Sequence, residues 1–238
     1  MIRLVLLDVD DTLLPSTTTF WGAVQEVLDA RYPDEPLLAS LVLRLVYYFG
    51  TTEYRGFWLA LCAERGLTGP ALLAEHEALC AAYKAAYARR ISARPGAAAF
   101  LSALRARGRI VGIVSNGRAA FQRMKLVRTG LLPFVDGPLL VSGDFPPSHE
   151  KPTARMFEEA LARTAVAAHE ALFVGDRTED VIGGNLAGLW TVRFEAPEQP
   201  PAPPGLRVAQ PHASAPDIAA LLGIVERLEA RSAERPPG

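Results

Sequence analysis

The chain opens on residues 2–7 (IRLVLL), a short apolar run cut off by acid. Such a run predicts a strand buried on both faces. From Ser16 to about Arg90 the pattern changes, and apolar residues recur every three or four positions. That period belongs to helices with one buried stripe. Four helices are predicted, over 16–32, 35–49, 52–67 and 70–90, the first opened by Ser16 and the third by Thr51 or Thr52. Pro33, Gly50 and Gly69 mark the breaks between them. After Arg94-Pro95-Gly96 helix and strand alternate. Helices are predicted over 96–108, 117–131, 152–166 and 178–189, the third opened by Pro152; strands over 109–116, 138–144, 171–176 and 190–195. A stiff proline-rich loop (197–205), a short strand near Leu206 to Val208 and a last helix over 215–233 complete the chain, before a frayed ERPPG tail. No repeat is visible.

Alternating strands and helices imply a parallel sheet covered on both faces. The first strand belongs with those after residue 108, so the helical block interrupts the sheet domain as an insert. The predicted fold class is α/β, a Rossmann-like parallel sheet core with an inserted all-helical domain. The core takes 1–15 and 91–238 and the insert 16–90.

Composition narrows the function. Half of the 238 residues are hydrophobic, enough for a substantial core, and 25 basic against 26 acidic residues leave a net charge of −1. No basic excess points to nucleic acid or an anionic membrane surface. The run 37–50 is shorter than a membrane span and carries Arg44, so it reads as a buried helix. The N-terminus does not read as a signal peptide, since its apolar run is short and ends in acid. Two cysteines, Cys62 and Cys80, are too few for a disulfide framework or a zinc site and read as core residues of a cytoplasmic protein.

In open parallel sheets ligands bind beyond the carboxyl ends of the strands. The first predicted strand ends in Asp8-Val9-Asp10-Asp11 and the second in Ser115-Asn116-Gly117. Lys151-Pro152 precedes the helix after the third, and the fourth ends in Gly175-Asp176, with Asp180 four residues on. Clustered carboxylates persist only with a strong cation. Oxygen ligands select a hard ion, and Mg²⁺ suits a site with few protein ligands. A Ser-Asn-Gly turn opening a helix offers N–H groups and a hydroxyl to an anion, and lysine adds a point charge. Such a set describes phosphoryl transfer through an aspartyl-phosphate.

The stretches DVDDTL, VSNG, the lysine of HEKPTARMF and GDRTEDVIGGNLAG resemble, in order and separation, motifs I to IV of the haloacid dehalogenase superfamily. The resemblance covers the whole chain and implies that residues 16–90 form a helical cap. It implies that Asp8 is the nucleophile and a metal ligand. Asp10 is implied to protonate the leaving alkoxide, then activate water, while its backbone carbonyl binds the metal. Ser115, Asn116 and Lys151 are implied to hold the transferring phosphoryl group. Asp176 is implied to bind Mg²⁺, and Asp180 to bind it through water or to orient Asp176 and Lys151. Thr12 supports the loop locally. Asp11 stands where the superfamily commonly has glycine and reads as a turn or cap residue. Glu179 reads as a solvated face, and Gly183, Gly184 and Gly188 as close packing.

Dehalogenase members lack an acid at the position of Asp10, since a halide leaves without a proton. The expected activity is therefore Mg²⁺-dependent hydrolysis of small phosphate esters. A phosphomutase is the alternative; a haloacid dehalogenase or a non-catalytic binding module is less favoured. A monomer or homodimer is expected. Cap residues set specificity, with the Thr17-Thr18-Thr19 entry and the TTEYRG turn (51–56) as candidates, Arg55 among them to grip a second anionic group. The aromatics Phe20, Trp21, Tyr47, Tyr48, Phe49, Tyr54, Phe57 and Trp58 read as cap core. The histidines, His76, His149, His169 and His212, have no ligand spacing and read as surface residues, with His149 a candidate substrate contact.

Overall fold

A computed structural model describes residues 1–33, 35, 41, 42, 44, 45, 54–196 and 206–233. The predicted helix 35–49 lies mostly outside the described residues, as do Tyr47, Tyr48, Phe49, Thr51 and Thr52. The loop 197–205 and the tail 234–238 lie wholly outside them. The chain divides into two compact units, Ser16–Ile91 and the remainder, Met1–Pro15 with Ser92–Gly238.

The larger unit is built on a six-stranded parallel sheet. Its strands are β1 (Leu4–Leu7), β2 (Ile110–Ser115), β3 (Leu139–Val141), β4 (Ala171–Gly175), β5 (Trp190–Phe194) and β6 (Ala213–Ala215), in spatial order β3-β2-β1-β4-β5-β6. The acid-terminated strand is central: Leu7 pairs with Ile113 on one side and Val174 on the other. Three strand ends therefore meet at one point of the sheet edge. Every residue of β1 is buried, because side chains alternate between two covered faces. Leu4 and Leu6 join Val114, Phe157 and Phe173 in one core cluster. Helices α4 (Ala97–Ala106) and α8 (Ile218–Ala233) pack together, and α4 also packs on β2. The connecting helices α5 (Ala119–Arg128), α6 (Arg155–Thr164) and α7 (Thr178–Leu186) complete the unit.

The smaller unit contains α1 (Ser16–Arg31), α2 (Tyr54–Glu64) and α3 (Gly69–Arg90). In α3 the buried residues are His76, Leu79, Cys80, Tyr83, Ala86 and Tyr87, the stripe its spacing predicts. Phe20, Tyr54, Phe57 and Trp58 are core as predicted, gathered around Tyr83 with Phe20 edge-on at 5.8 Å and Tyr54 stacked at 4.9 Å. No helix among the described residues is long and apolar enough to cross a membrane.

Four expectations are corrected. The last strand is not at Leu206 to Val208: residues Arg207–Ala209 form a 3-10 turn, and Ala213–Ala215 pairs with β5 instead. The sequence there, ASA, has too little apolar pattern to mark a strand, and its position comes from backbone pairing with β5. The helix predicted to start at Pro152 begins at Arg155, because the amide of Thr153 closes a turn on Glu150 first. Gly188 does not serve packing; it ends α7 at φ +77°, where glycine avoids the penalty of a side chain, and a Cβ there would meet only Ala168 at 3.5 Å. Gly183 and Gly184 do serve packing, since a Cβ on them would lie 2.6 Å from Phe157 and Thr191. His76 is buried, not superficial: its Nε2 lies 3.0 Å from the Arg55 carbonyl and 3.3 Å from Cys80 Sγ. Its place on the α3 stripe, four residues before Cys80, carried that signal.

Candidate active site

Most expected site residues in the larger unit sit at a strand end or just past it; Asp180 lies in the first turn of α7, and Lys151 follows two 3-10 turns after β3. Asp8 is the first residue past β1 and its amide donates to the Val174 carbonyl, so the central sheet fixes its backbone. Asp176 follows β4 directly and is fully buried. Asp180, in the first turn of α7, is also fully buried. One carboxylate oxygen from each of Asp8, Asp176 and Asp180 lies within 4.8 Å of the others.

A single cation binds two of these acids. Lys151 Nζ donates to Asp8 Oδ1 at 2.9 Å, lies 2.5 Å from Asp180 Oδ1, and reaches the Val114 carbonyl at 3.2 Å. The second oxygen of Asp180 accepts the Arg177 amide at 2.9 Å. Asp176 Oδ1 accepts the hydroxyl of Thr12 at 2.9 Å. Thr12 was expected to bond locally; it instead ties the first loop to the fourth strand end, a contact that only the tertiary fold creates. Asp176 Oδ2 is buried with no hydrogen-bond partner among the described residues.

Lys151 is itself held in place. The Asn116 side chain donates from Nδ2 to the Lys151 carbonyl at 3.0 Å and accepts the Lys151 amide on Oδ1 at 2.9 Å. Both ends of the Asn116 side chain, expected at the phosphoryl group, are thus engaged on the Lys151 backbone as a two-point clamp. Ser115 is buried at the end of β2. The Gly117 amide donates to Ser142 Oγ at 3.0 Å, a support with no signal in the sequence beyond a serine at the end of the third strand.

The electrostatics follow from crowding. Burial pushes the Asp8 carboxyl up to about 6; Lys151 opposes this, and Asp180 and Asp10 add to it. Asp176 is held well above the usual carboxylate range, first by burial and then by Asp180, Asp8 and Asp11. Burial disfavours the Lys151 ammonium, yet Asp180 and Asp8 outweigh it and raise the pKa above its ordinary value. Three carboxylates and one lysine leave an excess of negative charge in a dry site. That imbalance and the unpaired oxygen of Asp176 fit a divalent cation with oxygen ligands.

Asp10, close enough to Asp8 to act on its charge, is held by partners of its own. Its Oδ2 accepts Gln122 Nε2 at 2.6 Å and its Oδ1 pairs with Lys125 Nζ at 2.5 Å. Gln122 and Lys125 did not figure among the expected site residues. Nothing local in the sequence marked them: two polar residues three apart on a helix read as a solvated face, and only the fold buries both beside Leu126. Asp11 is buried and adopts φ +52°. Glu179 is half-buried and pairs with Arg177 at 2.6 Å. His149 stacks on Phe145 at 5.2 Å, and His212 accepts the Thr191 amide at 3.1 Å.

Comparison with known proteins places this geometry in context. A sequence family described as haloacid dehalogenase-like hydrolase matches residues 2–188. The chain is 33% identical over 208 residues to glyceraldehyde 3-phosphate phosphatase of Methanopyrus kandleri, covering 82% of this chain and 84% of that one. It is 41% identical over 124 residues to phosphoserine phosphatase of Thermus thermophilus, about half of each chain (50% and 49%). Among solved structures it is similar to magnesium-bound YfnB of Bacillus subtilis, with a TM-score of 0.71, 24% identity, and coverage of 94% and 98%. A Thermotoga maritima structure described as a beta-phosphoglucomutase gives a TM-score of 0.75 at 16% identity, covering 94% and 99%. These structural likenesses concern the fold.

Proposed function

Since the chain belongs to the haloacid dehalogenase-like hydrolase family, we propose that it is a Mg²⁺-dependent phosphatase of small phosphorylated metabolites working through an aspartyl-phosphate on Asp8. It is a hydrolase of phosphate monoesters, in line with its phosphatase relatives. The observation that carries the finer reading is the buried trio Asp8, Asp176 and Asp180, served by one lysine and retaining an unpaired oxygen on Asp176. Asp8, Asp176 and the backbone carbonyl of Asp10 would hold the ion, with Asp180 and Thr12 behind them. When bound, Mg²⁺ supplies positive charge that offsets the carboxylates and the phosphoryl oxygens.

The chain's own residues divide the remaining work. A carboxylate oxygen of Asp8 forms a bond to phosphorus as the bond to the leaving oxygen breaks. Asp10 gives that oxygen its proton. Water then attacks the phosphorus of the phosphoaspartate and gives a proton back to Asp10, which releases inorganic phosphate and restores Asp8. Lys151 and Ser115 hold the phosphoryl oxygens, and the Asn116 clamp keeps Lys151 in register with them. The helical unit acts as the cap that selects the substrate and excludes bulk water. Two free, buried cysteines support a reducing, cytoplasmic setting.

The test is hydrolysis of a panel of phosphate esters with Mg²⁺, and with a chelator in its place. Chelation removes turnover, and Asp8→Asn lowers kcat at least ~10³-fold with its circular dichroism spectrum unchanged. Full activity of that variant would remove Asp8 from the nucleophile role. Turnover only in the presence of a sugar bisphosphate would make the enzyme a phosphomutase.

A further inference from the structure

The Asp10 carboxylate leaves β1 by a turn, yet both of its oxygens are held from one helix. Gln122 and Lys125 lie three residues apart on α5, so they face the same way. Both are nearly inaccessible, at 2% and 4% exposure. Gln122 Nε2 also donates to the Asn116 carbonyl at 2.9 Å, so the same amide group joins Asp10 to the loop that clamps Lys151. The opposite assignment of that amide would aim its oxygen at two acceptors, which settles its orientation. Gln122 Oε1 is left buried without a partner among the described residues. The backbone of Asp10 is fixed as well, by a bridge to Leu14.

A stable core gains little from such an arrangement. A buried cation paired with a carboxylate costs desolvation, and apolar residues of the same volume would pack as well or better. What the arrangement provides is one defined orientation for Asp10. We propose that Gln122 and Lys125 are positioning residues of the reaction, which aim the Asp10 carboxyl group for proton transfer to the leaving oxygen. The inference rests on the phosphatase reading and on the part given there to Asp10.

Leaving groups of different basicity test it. A p-nitrophenolate departs with little help, whereas an alkoxide needs its proton in the transition state. Lys125→Met is expected to lower kcat on an alkyl phosphate by about 10²-fold, on p-nitrophenyl phosphate by less than about tenfold, and to leave KM nearly unchanged. In the Asp10→Asn background the same substitution adds less than about a further twofold, since there is no carboxyl left to aim. Gln122→Met leaves the ion pair in place and shows the same selectivity more weakly; it serves as the test if Lys125→Met does not fold. Equal losses on both substrates in either folded variant, alongside a selective loss in Asp10→Asn, would overturn the positioning role alone. A multiplicative loss in the double variant would do the same. Equal losses in Asp10→Asn itself would remove the proton-transfer role from Asp10 and this inference with it.

Discussion

Asp11 shows how little room a site loop leaves its residues. Its φ of +52° lies in the left-handed region, which costs most side chains ~1–2 kcal/mol. Aspartate and asparagine tolerate it because a short polar side chain bonds locally. The superfamily's usual glycine at this position, noted from the sequence, has the same physical meaning. Asp11→Asn is therefore expected to keep both stability and kcat within a few-fold, while Asp11→Val loses ~1–2 kcal/mol, read from the midpoint of urea unfolding. A valine variant as stable as the parent would show that the loop relaxes out of this conformation. Asp10 was legible in the sequence as an acid two residues past Asp8. Its partners on α5 were not, because 112 and 115 residues separate them from it.

Elements meet at the site through glycines. Gly175 ends β4 directly before Asp176, and a Cβ there would lie 2.5 Å from Cγ and Oδ2 of Asp180. Asp180 has nowhere to retreat, since Lys151 and the Arg177 amide grip its two oxygens. Gly175→Ala is expected to cost ~1–3 kcal/mol in stability and to lower kcat by more than about tenfold, because the displaced carboxylate takes Lys151 with it. Thermal melts and steady-state kinetics on the same preparation check both; an alanine variant with parental kcat would show that Asp180 does not govern Lys151. The element pattern of β1, β2, β4 and β5 was readable from apolar runs bounded by charge or glycine. β6 was not, since ASA has no apolar run and pairs only through its backbone with β5. The start of α6 was misplaced for a related reason: proline favours a helix start, but the Asn116 clamp and the Thr153 turn hold the chain back for three residues.

For the whole molecule, the site sets a pH dependence. The Asp8 carboxyl is raised by burial from 3.8 to about 6 in the folded protein. The folded state thus binds this proton more tightly than the unfolded chain does. The stability it contributes is complete below the unfolded value and is lost as pH rises through about 6. Asp176 is shifted in the same direction. Without divalent ions these two acids lower the melting temperature as pH rises from about 4 to 7, against carboxylates such as Glu75, which Arg31 holds down to about 2 and whose stabilisation is complete by about pH 5. Mg²⁺ held as proposed needs the ionised carboxylates, so it is expected to raise the melting temperature strongly near pH 7 and little near pH 4. Differential scanning fluorimetry with and without Mg²⁺ across that range checks this; an equal Mg²⁺ increment at both ends would place the ion away from Asp8 and Asp176.

What the sequence determined by itself was the alternation of elements, the parallel sheet and the acids, lysine and Ser-Asn-Gly turn set after its strands. Those features are local: apolar periodicity shapes each element, and a charge ending a buried strand has to emerge at its tip. Tertiary structure alone decided which of them touch. Lys151 spans Asp8 and Asp180, Thr12 reaches Asp176, and α5 presents Gln122 and Lys125 to Asp10, all through contacts more than a hundred residues long or set by side-chain geometry. Such pairings depend on strand order and helix rotation about a common sheet, and no local propensity encodes either.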